Sequence, residues 1–252
     1  MNKRAAVIVG VGARHGIGGA MAVKAAREGL HVFVVGRTKS RLDNIVHDIS
    51  TQGGTASTCV ADCTQQKDIN AVFEHVTNTE MNLELVVYNV GRNMPSPFLE
   101  HDQRIIEGNW KRCVTGGMFV GQHAVRSMLG QTLSGDGKRG TIIYTGASAS
   151  MRGNPMFSGF ASAKGALRGM VQSMQAEFGK SGIHVSHIVI DGVINGDLVK
   201  SVKGFGKLAL KMKGENGSLL PDEIAKSFWL VHSQQRPPWT NEMDLRPFKE
   251  KF

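Results

Sequence analysis

A glycine-rich run, Gly12-Ala13-Arg14-His15-Gly16-Ile17-Gly18, follows an apolar stretch and opens a helical pattern. Glycine permits φ > 0 and lets the backbone approach a ligand closely. A helix N-terminus adds free N–H groups and the positive end of a dipole. The run therefore predicts a cradle for the pyrophosphate of a dinucleotide, with Gly12, Arg14, His15, Gly16, Ile17 and Gly18 against the cofactor. A glycine cluster by itself is also what a tight turn needs. The strand before it and the helix after it favour the nucleotide. The second strand ends at Gly36-Arg37, where NAD-specific sites place a carboxylate for the ribose 2′-OH. No acid stands there. Arg14 and Arg37 instead offer two guanidinium forks for a 2′-phosphate. The expected cofactor is NADP(H).

These residues need elements to hold them. Apolar runs at Ala5–Val9, Val32–Val35, Thr58–Val60, Leu83–Tyr88, Thr141–Thr145 and His184–Ile190 alternate with helical patterns. The helices are expected near Ile17–Glu28, Lys39–Ile49, Gln65–Thr77, Asp102–Leu129, Ser158–Gly179 and Asp222–His232. Near-continuous apolar strands alternating with helices predict a parallel sheet covered on both faces. Ligands of such a sheet bind at the carboxyl ends of its strands. No linker or repeat divides the 252 residues, so the expectation is one α/β domain over residues 1–252. The tail from Trp239 to Phe252 alternates at Glu242-Met243-Asp244-Leu245 and predicts an edge strand.

Composition limits the function classes. A hydrophobic share of 41% with 20% charged residues fits a globular chain, and no run approaches the roughly 20 apolar residues of a membrane span. The apolar start is too short for a secretory leader and is better explained by the glycine pattern. Cys59, Cys63 and Cys113 show neither a disulfide framework nor zinc spacing, so the chain reads as cytoplasmic with reduced thiols and no metal. The formal charge of +9 is the unusual value. Residues 198–213 carry five lysines and no acid, more than half of that excess. At helical spacing Lys200, Lys203, Lys207 and Lys211 share one face. The segment is either a solvated face or a basic stripe attracting an anionic substrate, such as an acyl thioester. Gly204 and Gly206 argue against a membrane-surface helix. No basic stripe interleaved with stacking aromatics is left for nucleic acid.

The spacing Gly-x3-Gly-x-Gly resembles that of the short-chain dehydrogenase/reductase family, and the resemblance covers nearly the whole chain. Asp62 in Ala61-Asp62-Cys63-Thr64 matches the family's adenine-contacting Asp. Asn89-Val90-Gly91 resembles its Asn-Ala-Gly, and Phe160 to Lys164 resembles its active-site segment. The resemblance implies a doubly wound Rossmann fold with a mostly seven-stranded parallel sheet. It also implies cofactor contacts at Asp62, Asn89, Gly91, Lys164 and Ile194, a homodimer or homotetramer, and a lid at 198–213 over a small-molecule substrate.

The same resemblance implies departures where the chemistry occurs. In the family a Tyr exchanges a proton with substrate oxygen, assisted by a Lys, a Ser and an Asn. Here Lys164 is present, but the Tyr position falls on Phe160, the Ser position on Ala147 and the Asn position on Val114. Asn109 is too far along the helix to replace the Asn. The family's Pro-Gly becomes Asp191-Gly192, and its nicotinamide-contacting Thr falls on Gly196. Losing a general acid costs about 10²–10⁴ in rate, and losing one oxyanion donor about 10²–10³. The expected function is an NADP(H)-dependent oxidoreductase acting on a carbonyl/alcohol or an activated double bond, with a non-standard proton donor. Lys164, Ser148 and Asp191 are the catalytic candidates. Ser148 qualifies only if the backbone is irregular there, since neighbours on a strand face opposite ways. Asp191 reads more readily as a turn residue bonded to backbone amides, Tyr88 as a packing residue, and His101 and His123 as surface or satisfied core residues. Met151, Met156 and Phe157 line a pocket or fill core. The alternatives are a dinucleotide-binding protein without turnover, or a lyase or isomerase on the same scaffold.

Overall fold

The computed structural model describes residues 3–135, 137–201, 210–211, 214 and 216–250. Six strands fall where the apolar runs predict them: β1 (Arg4–Val9), β2 (His31–Gly36), β3 (Ala56–Val60), β4 (Asn82–Tyr88), β5 (Gly140–Thr145) and β6 (Ile183–Ile190). The alternating tail forms β7 (Glu242–Leu245) at one edge. All pair in parallel in the order β3-β2-β1-β4-β5-β6-β7. The order reverses between β1 and β4, and it is outside the carboxyl ends of the strands at such a point that doubly wound sheets form their ligand crevice. The chain is thus a doubly wound α/β protein with a seven-stranded sheet.

Both faces of the sheet are covered, which is why its strands read as unbroken apolar runs. On one face Val7, Phe33, Val86, Tyr88, Ile142 and Tyr144 meet α3 (Gln66–Thr77) and the long helices α5 (Gly116–Leu129) and α6 (Ser158–Phe178). On the other, Ile8, Val34, Val87, Ile143 and Ile188 meet α1 (Ile17–Arg27), α2 (Lys39–Thr51) and α8 (Pro221–His232), the last numbered after the short α7 (Asp197–Ser201). The predicted helix Asp102–Leu129 is interrupted. It runs as α4 (Gln103–Trp110), one π turn (Lys111–Thr115) and then α5. Most of the basic segment 198–213 lies outside the described residues. Among the described residues no helix is long and apolar enough to cross a membrane.

Two of the buried imidazoles, His184 and His232, have pKa values pushed far down. His184 on β6 bonds Thr240 O through Nε2 at 3.0 Å and stacks on Trp239. His232 at the end of α8 bonds Thr141 Oγ1 at 3.1 Å. Burial lowers His184 to about 4 and His232 to about 3. Both values lie below the unfolded value near 6.5, so acid protonates the unfolded chain first. Their contribution is present above pH 6.5 and is lost as pH falls through 4 and 3. Urea denaturation between pH 7 and 5, where most carboxylates stay ionised, should show a loss on the order of 3 kcal/mol. A flat midpoint over that window would contradict the burial of both rings.

Candidate active site

The glycine loop is built by close backbone approach. Gly10 has φ +90°, and a Cβ there would sit 2.3 Å from Asn89 O. This contact presses the end of β1 against the end of β4 and sets the loop beside Asn89-Val90-Gly91. At Gly36 a Cβ would fall 2.3 Å from Val11 O. The end of β2 therefore has no room for any side chain, a carboxylate included, and the exposed Arg37 follows it. Helix α1 starts at Gly16 without a side-chain cap, which leaves its first N–H groups open. Nothing lies within 4 Å of a Cβ built on Gly12. Arg14 Nε lies 3.5 Å from Asp48 Oδ2 on α2, while its Nη1 is buried with no partner. An uncapped helix start, an open glycine and an orphaned guanidinium nitrogen are what an anionic dinucleotide would complete.

Two further residues close this half of the crevice. Asp62 Oδ1 accepts from Thr64 N at 3.0 Å and Thr64 Oγ1 at 2.8 Å, fixing the turn after β3. His15 donates its backbone N–H to Asp197 Oδ2 at 3.2 Å, and Asp197 N–H donates back to His15 O at 3.0 Å. Ile194, next to this contact, bridges to Leu219.

The other half centres on Lys164. Its Nζ is buried and donates to Thr145 O at 2.7 Å and Val90 O at 3.3 Å, so it joins the carboxyl ends of β5 and β4. Burial holds its pKa below the usual lysine value. Phe160, one turn earlier on α6, packs with Cys113, Val114 and Ala163, and Ala147 lies against them. The Phe160 ring centroid is 5.8 Å from Lys164 Nζ. Beyond Thr145 the chain leaves the strand and forms a 3-10 turn, Ser148–Ser150. The irregular backbone required for Ser148 is therefore present. Buried Ser150 takes the Ala147 N–H at 3.1 Å and holds this turn.

The short chain dehydrogenase family matches residues 5–204. The chain belongs to that family. The chain is 26% identical over 184 residues to glucose 1-dehydrogenase of Gluconobacter oxydans, covering 73% of this chain and 67% of the relative. It is 25% identical over 242 residues to a very-long-chain 3-oxoacyl-CoA reductase of Mycosarcoma maydis, covering 91% of this chain and 67% of the relative. A crystal structure of a short-chain dehydrogenase from Rhodopseudomonas palustris superposes with TM-score 0.78 at 30% identity, covering 98% of this chain and all of that one. The family is one of oxidoreductases.

Several candidate residues have structural work that sequence alone leaves open. Asp191 is buried, and both its oxygens contact Arg152 Nη2, at 3.2 and 3.1 Å. Arg246 Nη2 lies 3.0 Å from Oδ2. A carboxylate held by two guanidinium groups is half of an ion cluster and poorly placed to donate a proton. The Tyr88 hydroxyl donates to Arg112 O at 2.5 Å in the π turn, and burial raises its pKa well above the usual tyrosine value. His101 caps the active-site helix: Nδ1 bonds Pro97 O at 2.9 Å and Nε2 accepts Gly159 N–H at 3.3 Å. His123 stacks on Phe73 and bonds Asn70. Asn109 is buried, with Oδ1 3.4 Å from Arg112 Nη2. Met151 and Met156 are exposed beside the site, and Met156 O accepts Ser96 N–H at 2.8 Å, tying together the loops after β4 and β5. Their exposure shows that they do not fill the core.

Proposed function

We propose that this short-chain dehydrogenase is an NADP(H)-dependent oxidoreductase acting on a carbonyl/alcohol pair or an activated double bond. The observation that carries this reading is the phosphate end of the crevice. The end of β2 at Gly36 sterically refuses an acid and is followed by Arg37, and Arg14 in the glycine loop has a buried Nη1 without a partner. When bound, the cofactor supplies hydride at the nicotinamide. The N–H groups opening α1 would hold its pyrophosphate, Arg14 and Arg37 its 2′-phosphate, and Asp62 its adenine. Asn89 and Gly91 would form the floor beneath it, and Lys164 and Ile194 would flank the nicotinamide half.

On the substrate side Phe160 and Val114 take the positions of the family's Tyr and Asn, and Ala147 that of its Ser. Ser148 would donate a hydrogen bond to substrate oxygen from the 3-10 turn. Asp191 acts as a positioning residue: through Arg152 it fixes the segment after that turn, and through Arg246 the tail after β7. The whole chain works as one domain, as a homo-oligomer in the cytoplasm, with 198–213 as a basic lid over an anionic substrate.

Fluorescence titration tests the cofactor. NADPH should bind more tightly than NADH. Arg14→Ala and Arg37→Ala should each weaken NADPH by about 10–100-fold, the worth of a charge-assisted hydrogen bond, with NADH little changed. A preference for NADH would overturn the reading. Oxidation of NADPH with a carbonyl panel separates an enzyme from a binding protein without turnover.

A further inference from the structure

With a phenyl ring at position 160, something else must supply the proton that accompanies hydride transfer. Most nearby groups are occupied. Tyr88 is committed to Arg112 O. Asp191 sits between two arginines. His187 is fully buried: Nδ1 bonds Glu242 at 2.9 Å, and Nε2, without a partner, is walled off by Gly146, where an added Cβ would meet it at 2.4 Å. Cys113 is buried in the apolar cluster with Phe160.

Lys164 differs. An ammonium carries three protons, and the two carbonyl bonds from Nζ engage two of them. Those bonds also fix the nitrogen at the carboxyl ends of β4 and β5. On the side toward Gly91 no side chain intervenes, although the space is narrow: a Cβ built there would lie 3.2 Å from Lys164 Cε. The same Cβ would lie 3.4 Å from Nζ and 3.4 Å from Phe160 Cε2, and Gly91 itself is exposed. An oxygen placed there lies near the lysine, with the phenyl edge as its wall. Resting on the oxidoreductase reading above, we propose that the Lys164 ammonium is itself the proton donor to substrate oxygen.

The balance is simple. The carbonyl carbon gains the hydride that oxidises NADPH to NADP+, and the C=O π bond opens. The oxygen takes a proton from Nζ, directly or through one water. Lys164 is left as a neutral amine and is recharged by a proton from solvent. Alcohol oxidation runs the same steps backwards. Burial lowers the lysine pKa, which makes its proton easier to give. The titratable groups facing it are Cys113 on the π turn and His187 on β6.

The test uses 9,10-phenanthrenequinone and ethyl acetoacetate as carbonyl probes with NADPH between pH 6 and 10. The full chain should show kcat/KM falling above one basic limb. In protein labelled with 13C at lysine Cε, the Lys164 resonance should titrate at that same pH in the NADP+ complex. Lys164→Arg cannot deprotonate in this range and should remove the limb. Lys164→Met should lower kcat by about 10²–10⁴. A limb that survives Lys164→Arg, wild-type turnover in Lys164→Met, or a resonance that titrates only at the free-lysine value near 10.4 would each overturn the proposal. The labelled wild-type protein gives this answer even if a variant fails to fold. No turnover of any probe by the wild type would instead overturn the oxidoreductase reading, and this proposal with it.

Discussion

Phe160→Tyr together with Ala147→Ser is expected to raise reduction of simple ketones by at least about 100-fold, the lower end of what a general acid contributes. The scaffold for a tyrosine is already present. Lys164 Nζ lies 5.8 Å from the Phe160 ring centroid, so its charge would lower the pKa of a phenol introduced there. Ala147 packs against the same apolar cluster as Phe160, so a hydroxyl on each residue would approach one small volume. The opposing cost is local. Phe160 is packed with Cys113, Val114 and Ala163, none of which offers a strong hydrogen bond. A hydroxyl pinned inside that cluster without a partner would cost about 1–3 kcal/mol, readable as a lower urea midpoint. If it reaches the crevice it costs little and turnover rises. Each single variant should gain less than half of the logarithmic effect, because donors that act as a unit are not additive. A double variant that folds, binds NADPH and gains nothing would mean that the pocket, and not only its donors, differs from a ketone reductase site.

The parts of this site visible in the sequence are those made by short stretches of chain. The glycine loop is a strand end, a turn and a helix start in succession, and each leaves a local mark. The strands are visible because a parallel sheet buried on both faces demands unbroken apolar runs. The π turn at Lys111–Thr115 leaves no such mark. It stands where the Tyr88 hydroxyl from β4 reaches in to take Arg112 O, a contact with no periodicity to betray it. The reach is possible because Gly116 has no side chain: a Cβ there would lie 2.5 Å from that hydroxyl. The partners of Asp191 are hidden for the same reason. Arg152 follows β5 and Arg246 follows β7, and only the folded sheet brings them to the end of β6. His15 and Asp197 likewise meet across 182 residues.

Asp191→Asn is expected to destabilise the protein by about 3–5 kcal/mol, the usual cost of breaking a buried charge pair by removing one partner. The side chain of Asp191 is 5% exposed, and those of Arg152 and Arg246 are 30% and 24% exposed. The carboxylate is thus the most deeply desolvated member of the cluster. Asparagine keeps the shape but leaves two partly buried guanidinium groups facing a neutral amide. Asp244, 45% exposed, stays 2.5 Å from Arg246 Nη2. A chain of this size loses roughly 2–4 °C of melting temperature per kcal/mol, so the shift should exceed about 6 °C. The result also decides between two roles for this residue. A proton donor replaced by Asn would leave the melting temperature near wild type and abolish turnover. An ion-cluster residue does the reverse: stability falls, and the fraction that remains folded keeps NADPH binding and a pH profile whose limb is unmoved. Removing the charge on both sides, as in Asp191→Asn with Arg152→Gln, should recover part of the loss, because the two facing groups are then neutralised together and couple.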